Sequence, residues 1–198
     1  MESLAKQIVK FASQYLEGAP LCAKELLHLG SRAAIDQALS RLVTAGTLMR
    51  AGRGLYVRPV NGQFGVRAPS TLKVIDGIAN ISGETITSHG AAAASALGLT
   101  TQVPMRSIFL TSGRNRQLAL GTRKVELRHA PKWQLIYPGR VAGDVVRALA
   151  WLGPEKSSAA ISELRKKLSS PELKEVASTR SRLPTWLAKD ISVLLADA

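Results

Sequence analysis

With 198 residues, 45% hydrophobic and 21% charged, the chain has the make-up of one large or two small globular domains, which excludes disordered and collagen-like classes. No apolar run approaches the roughly 20 residues of a membrane span, Glu2 and the charges after it argue against a signal peptide, and a lone Cys22 excludes an internal disulfide. The expected setting is therefore cytoplasmic, and a net charge of +13, from 27 basic and 14 acidic residues, points to an acidic partner, most often nucleic acid.

Leu4, Ile8, Phe11 and Tyr15 recur at helical spacing, and Gly18-Ala19-Pro20 ends that first helix. A second, short helix is expected over residues 22–29, with Gly30 closing it in a left-handed conformation. Ser31 is placed as N-cap of a third helix whose inner face is Ile35, Ala38, Leu39 and Leu42, and Ala45-Gly46 ends it. Residues 47–50 and 55–58 then read as a β-hairpin around Ala51-Gly52-Arg53-Gly54. Three helices followed by a basic hairpin is the order of a winged helix-turn-helix, in which one helix enters the major groove and the wing reaches backbone or minor groove.

The Gly-rich stretch 61–65 reads as a linker. Beyond it, residues 70–80 are expected as a helix, 84–87 as a strand, 89–97 as an alanine-rich helix ended by Gly98, and 107–110 as a strand. Residues 117–120 and 125–128 form a hairpin around Gly121-Thr122, and the tail is helical, with Val141, Val145, Leu149 and Leu152 on one face, Ile161, Leu164 and Leu168 on another, and a last helix opened by Pro184. The fold class is thus α+β: a winged helix-turn-helix over residues 1–67, then a mixed α+β domain over 68–198 with a helical C-terminus.

The charge is unevenly spread: +5 over residues 1–67, +6 over 68–140 and +2 over the remainder, with no acid from Gln37 to Ile75 or from Thr85 to Val125. On the third helix the outward side chains include Arg32, Asp36, Gln37, Ser40 and Arg41. Arg32 suits guanine and Gln37 suits adenine, each by two hydrogen bonds, while Ser31 and Ser40 suit phosphate. Asp36 either accepts from a cytosine amino group or pairs with Arg32 one turn away, and Arg41 serves either DNA or an internal hydrogen bond. On the wing, Arg50, Arg53 and Arg58 are phosphate or minor-groove candidates. In the second domain, Arg114, Arg116, Arg123 and Lys124 make a candidate basic surface.

Enzyme signals are thin. No Walker, nucleophile-elbow or Cys-x-x-Cys motif is present, no cofactor or metal is implied, and residues 68–140 offer only Asp76, Glu84 and Glu126 as carboxylates. His89 reads as the N-cap neighbourhood of the alanine-rich helix, or as a phosphate contact there. Cys22 reads as a buried thiol, or as one activated at a helix start. Trp133, Trp151 and Trp186 read as core or interdomain packing.

The run Gly30-Ser31-Arg32-Ala33-Ala34-Ile35-Asp36-Gln37-Ala38-Leu39-Ser40-Arg41-Leu42, with Ala45-Gly46 and Gly52-Arg53-Gly54-Leu55-Tyr56, resembles the winged head of the AbiEi-type antitoxins. Residues 90–94, the block 97–104 (Leu97-Gly98-Leu99-Thr100-Thr101-Gln102-Val103-Pro104) and Glu126-Leu127-Arg128-His129-Ala130 resemble the second domain of the same group. The resemblance implies a bacterial type IV antitoxin that binds repeats in its own promoter, represses the operon, and uses its second domain against a co-encoded nucleotidyltransferase-like toxin. Double-stranded promoter DNA and that toxin are the implied partners, a homodimer on DNA is compatible with them, and no membrane is involved. Two alternatives stay open: a winged-helix regulator of an unrelated neighbouring gene, and an RNA- or tRNA-binding module using residues 114–124.

Overall fold

The computed structural model describes residues 2–63, 65–102 and 104–196. Phe64, within the expected linker, and Val103, within the 97–104 block, lie outside the described residues. The architecture is mixed α+β, and the chain divides into two units, one made of Met1–Glu84 with Arg116–Glu126, the other of Thr85–Asn115 with Leu127–Ala198.

The first unit opens with α1 (Leu4–Ser13), whose N-cap Ser3 accepts from the Lys6 N–H at 3.4 Å. Its inner face buries Ile8 and Ala12, and Leu4, Phe11 and Tyr15 lean on the same cluster, as the periodicity predicts. After β1 (Leu21–Cys22) the chain makes only a 3-10 turn, Ala23–Leu26, where a helix over 22–29 is expected. The Glu25 carboxylate explains the difference: it accepts from the Cys22 N–H at 2.7 Å and from the Tyr15 hydroxyl at 3.3 Å, pulling the segment into one tight turn. Gly30 correspondingly has no left-handed φ.

Ser31 caps α2 (Arg32–Thr44) by accepting from the Ala34 N–H at 3.3 Å, and Gly46, at φ +71°, turns the chain out of it. Ile35, Ala38, Leu39 and Leu42 are buried, the face read from the sequence. The hairpin follows as β2 (Met49–Gly52) and β3 (Leu55–Val57), with a register shift between Arg50 and Gly52, and β1 joins it to give an antiparallel sheet ordered β1-β3-β2. Sheet and helices share one core: Ile8, Leu21, Leu26, Ile35, Leu39, Leu48 and Tyr56. Each large aliphatic side chain buried there contributes roughly 1.5–3 kcal/mol over leaving it in water.

Within the stretch expected as a linker, Asn61, Gly62 and Gly65 instead belong to a second hairpin of β4 (Val60–Gly62) and β5 (Gly65–Arg67). Next comes α3 (Thr71–Ser82), which packs so closely on the preceding turn that a Cβ on Gly77 would sit 2.5 Å from Pro20 Cδ. Glu17 accepts there from the Ser70 N–H at 3.3 Å and from Lys73 Nζ at 2.5 Å. The expected boundary after Arg67 therefore falls inside the first unit. The unit is completed by a later hairpin, β8 (Arg116–Leu120) with the start of β9 (Arg123–His129): Leu118 lies 3.5 Å from the Cβ position of Gly52, and Arg123 Nη2 donates to the Pro69 carbonyl at 3.2 Å.

In the second unit, β6 (Ile86–Ser88) pairs antiparallel with β7 (Ser107–Thr111), and the end of β9 runs on beside β7, with Ala130 N–H donating to Thr111 O at 3.0 Å. Between β6 and β7 lies α4 (Gly90–Ala96), ended by Leu97 and Gly98, the latter at φ +65°. Four further helices, α5 (Val141–Leu152), α6 (Pro154–Lys167), α7 (Ser170–Ala177) and α8 (Thr185–Ala196), wrap a core of Val145, Leu149, Ile161, Leu164, Val176, Leu187 and Ile191. Trp133 and Trp186 pack against that core, while Trp151, expected as core or interdomain packing, is 39% exposed. Among the described residues no helix is long and apolar enough to cross a membrane.

Candidate functional site

In the first unit, α2, the β2–β3 hairpin and the 3-10 turn enclose a groove of about 780 Å³. Its charged lining is Lys24, Arg32, Asp36, Arg50 and Arg53, and its hydroxyls are those of Ser40, Thr44 and Tyr56. On α2 the spacing explains this: residues 32, 36 and 40 are successive one-turn steps along one ridge, while Ile35, Leu39 and Leu42 hold the opposite side against the core. On the hairpin, Arg50 precedes the bulge and Arg53 sits in the turn beside Gly54, whose φ of +70° lets the two strands reverse in two residues. Four cations and one carboxylate thus line the groove.

The carboxylate is engaged. Arg32 Nε donates to Asp36 Oδ2 at 2.9 Å, both side chains remaining about half exposed at 54% and 49%. Ser31 is occupied by its cap bond, and Thr44 Oγ1 donates to the Ser40 carbonyl at 3.1 Å. The groove therefore presents guanidinium and ammonium donors, set at the N-terminal end of a helix and across from it.

Five of the nine sequence candidates line this groove: Arg32, Asp36, Ser40, Arg50 and Arg53. Gln37 and Arg41 are exposed on the next ridge of α2. Arg58 has a different position: its Nη1 donates to the Ala12 and Ser13 carbonyls at 3.2 and 3.0 Å, closing the C-terminal end of α1. Lys24, not foreseen, joins the set because the chain around it folds as a 3-10 turn, and no periodic pattern in the sequence marks where its side chain goes.

Two of the other basic candidates are bonded within the fold. Arg116 makes a two-point ion pair with Glu84, at 2.8 and 3.1 Å, and Arg123 is tied to Pro69. Arg116, Arg123 and Lys124 also belong to the first unit, whereas Arg114 belongs to the second. Of the four, Arg114 and Lys124 are exposed.

Neither reactive-group candidate is activated. Burial, reinforced by the Glu25 carboxylate, pushes the Cys22 thiol up from its ordinary range, the opposite of a thiolate-forming helix start. His89 is the N-cap of α4, its Nδ1 accepting from the Ala91 N–H at 3.2 Å, and burial together with the Arg128 charge pushes its imidazole down, so the ring is neutral near pH 7.

Among solved structures, the RV2827C protein from Mycobacterium tuberculosis is similar in fold, with a TM-score of 0.56 at 16% identity over 99% of this chain and 77% of that one. No curated protein matches the chain. The model of the family of unknown function DUF6088 matches residues 7–176, nearly the whole length, and the chain belongs to that family.

Proposed function

We propose that the first unit is a winged helix-turn-helix that binds double-stranded DNA, with α2 in the major groove and the β2–β3 hairpin as wing. The observation that carries this reading is the groove in which Lys24, Arg32, Arg50 and Arg53 converge around α2. A helix fits the roughly 12 Å major groove, and cations on a neighbouring hairpin are then set to neutralise the flanking phosphates. The resemblance to AbiEi-type antitoxins extends the reading. The chain is an autorepressor that binds its own promoter, and the remaining residues oppose a nucleotidyltransferase-like toxin. The engagement of Arg116 and Arg123 within the fold weighs against the RNA-binding alternative, which needs them free.

Fluorescence anisotropy with a duplex from the upstream region of its own gene, against a duplex of random sequence, tests the proposal. The expected result is preferential binding to the upstream duplex. With about three phosphate contacts, from Lys24, Arg50 and Arg53, log K falls against log salt with a slope of roughly −2.7, made about two units shallower by Arg50→Ala with Arg53→Ala. Equal affinity for the two duplexes at every salt concentration overturns it.

A further inference from the structure

Arg32 and Asp36 pair in a way that helix stability does not account for. The order along α2 is base then acid, the less favourable sense for a pair one turn apart, and it sets a cation on the first residue of a helix whose N-terminal end is already positive. Both side chains are half exposed, where an ion pair adds little to stability. Among the described residues Asp36 is moreover the one carboxylate lining a groove that otherwise collects cations, so it weakens the attraction of that groove for any phosphate.

We propose that Asp36 is a positioning residue that makes Arg32 a guanine reader, an inference that rests on the first unit being a DNA binder. The bond from Arg32 Nε to Asp36 Oδ2, at 2.9 Å, uses one edge of the guanidinium and fixes its plane. Both Nη groups stay available, and their parallel N–H bonds match the adjacent O6 and N7 acceptors that guanine alone presents in the major groove. A free arginine at the mouth of the same groove takes whichever phosphate is nearest; a tethered one does not. The pair therefore trades general affinity for selectivity, with Lys24, Arg50 and Arg53 supplying the sequence-independent part.

The test uses the full chain and a duplex enriched by the wild-type protein from a randomised pool. Asp36→Ala is expected to raise affinity for random duplex a few-fold, since a carboxylate leaves the groove, while lowering the enriched-to-random ratio about tenfold. Arg32→Lys keeps the charge but loses the fork; its affinity for random duplex holds and the same ratio falls by about tenfold or more. Replacing guanines one at a time with 7-deazaguanine, which lacks the N7 acceptor, weakens the wild type at one position and leaves Arg32→Lys and Asp36→Ala nearly indifferent there. Asp36→Leu, of similar size and without an acceptor, controls for loss of fold, checked by circular dichroism, and is expected to follow Asp36→Ala. An unchanged ratio in both Asp36 variants, or wild-type indifference to 7-deazaguanine at every position, overturns the inference while leaving DNA binding intact. Absence of binding to any duplex at low salt overturns the reading beneath it.

Discussion

Arg147 carries a guanidinium into the interior of the second unit, its side chain 0% exposed. Nη1 donates to the Gln134 and Ile136 carbonyls at 3.3 and 3.1 Å, and Nη2 donates to Asp144 Oδ1 at 2.9 Å, an oxygen that also accepts from the Ser88 hydroxyl at 2.8 Å. Burial pulls the guanidinium below its ordinary pKa and Asp144 pushes back, but an arginine starts so far above neutrality that it stays charged. One side chain thus ties the 134–136 turn and β6 to α5. Arg147→Leu fills similar space but strands two carbonyls and a carboxylate, so a loss of about 3–5 kcal/mol is expected in urea unfolding of the full chain. A loss below about 1 kcal/mol would mean that those groups regain water without disturbing the core. Nothing in the local pattern announces this arginine. Helical spacing identifies Val145, Leu149 and Leu152 as an inner face, but the partners that draw Arg147 inward lie on a turn and a strand elsewhere in the sequence.

At the scale of elements, α4 and α5 meet through small residues: Ala93, Ala94 and Ala148 form a buried cluster, and a Cβ on Gly90 would sit 2.5 Å from both the Arg147 carbonyl and Trp151 Cβ. Those neighbours are backbone and the root of a side chain, neither free to swing aside. Gly90→Ala is therefore expected to destabilise by about 1–3 kcal/mol, although alanine alone favours helix by up to about 1 kcal/mol. A thermal melt checks it, and an unchanged or higher melting temperature would show that α4 slides without cost. Elements such as α1 and α2 were legible in the sequence because apolar period and cap fall on the same residues, Ser31 above all. The β8–β9 hairpin was legible for the same reason, since Gly121, at φ +65°, marks its turn. The 3-10 turn at Ala23–Leu26 was not, because Glu25 bonding back to Cys22 overrides a helix-compatible sequence. Nor was β4–β5, whose short strands are rich in glycine and polar residues and carry no alternation to read. Half of the groove was visible as the outer ridge of α2 and the hairpin arginines; Lys24, and the diversion of Arg58 to α1, depend on contacts between segments distant in sequence.

For the molecule as a whole, the division between units does not follow the order of the chain. The first unit takes its last hairpin from beyond residue 115, and that hairpin supplies Leu118 against Gly52 and sets Gly121 3.6 Å from Met49 Cε, measured from its Cβ position. A fragment of residues 1–67 lacks both this hairpin and α3, leaving the Gly18–Pro20 turn and β2 without their covers. It is expected to melt at a lower temperature than the full chain and to bind an apolar dye such as ANS, which the full chain does not. Cooperative melting at the temperature of the full chain, without dye binding, would show that 1–67 is self-sufficient.

The split also sets a clock on biosynthesis. The 116–126 segment is translated some forty residues after Glu84, which at about 5–20 residues per second is an interval of about 2–8 s. Through that interval the nascent N-terminal half has α1, α2 and β1–β3 available, yet β2, which carries Arg50, waits without the Leu118 side chain that packs on Gly52. A chain released by a premature stop before residue 116 never completes this unit and leaves uncovered the place on Gly52 where Leu118 packs.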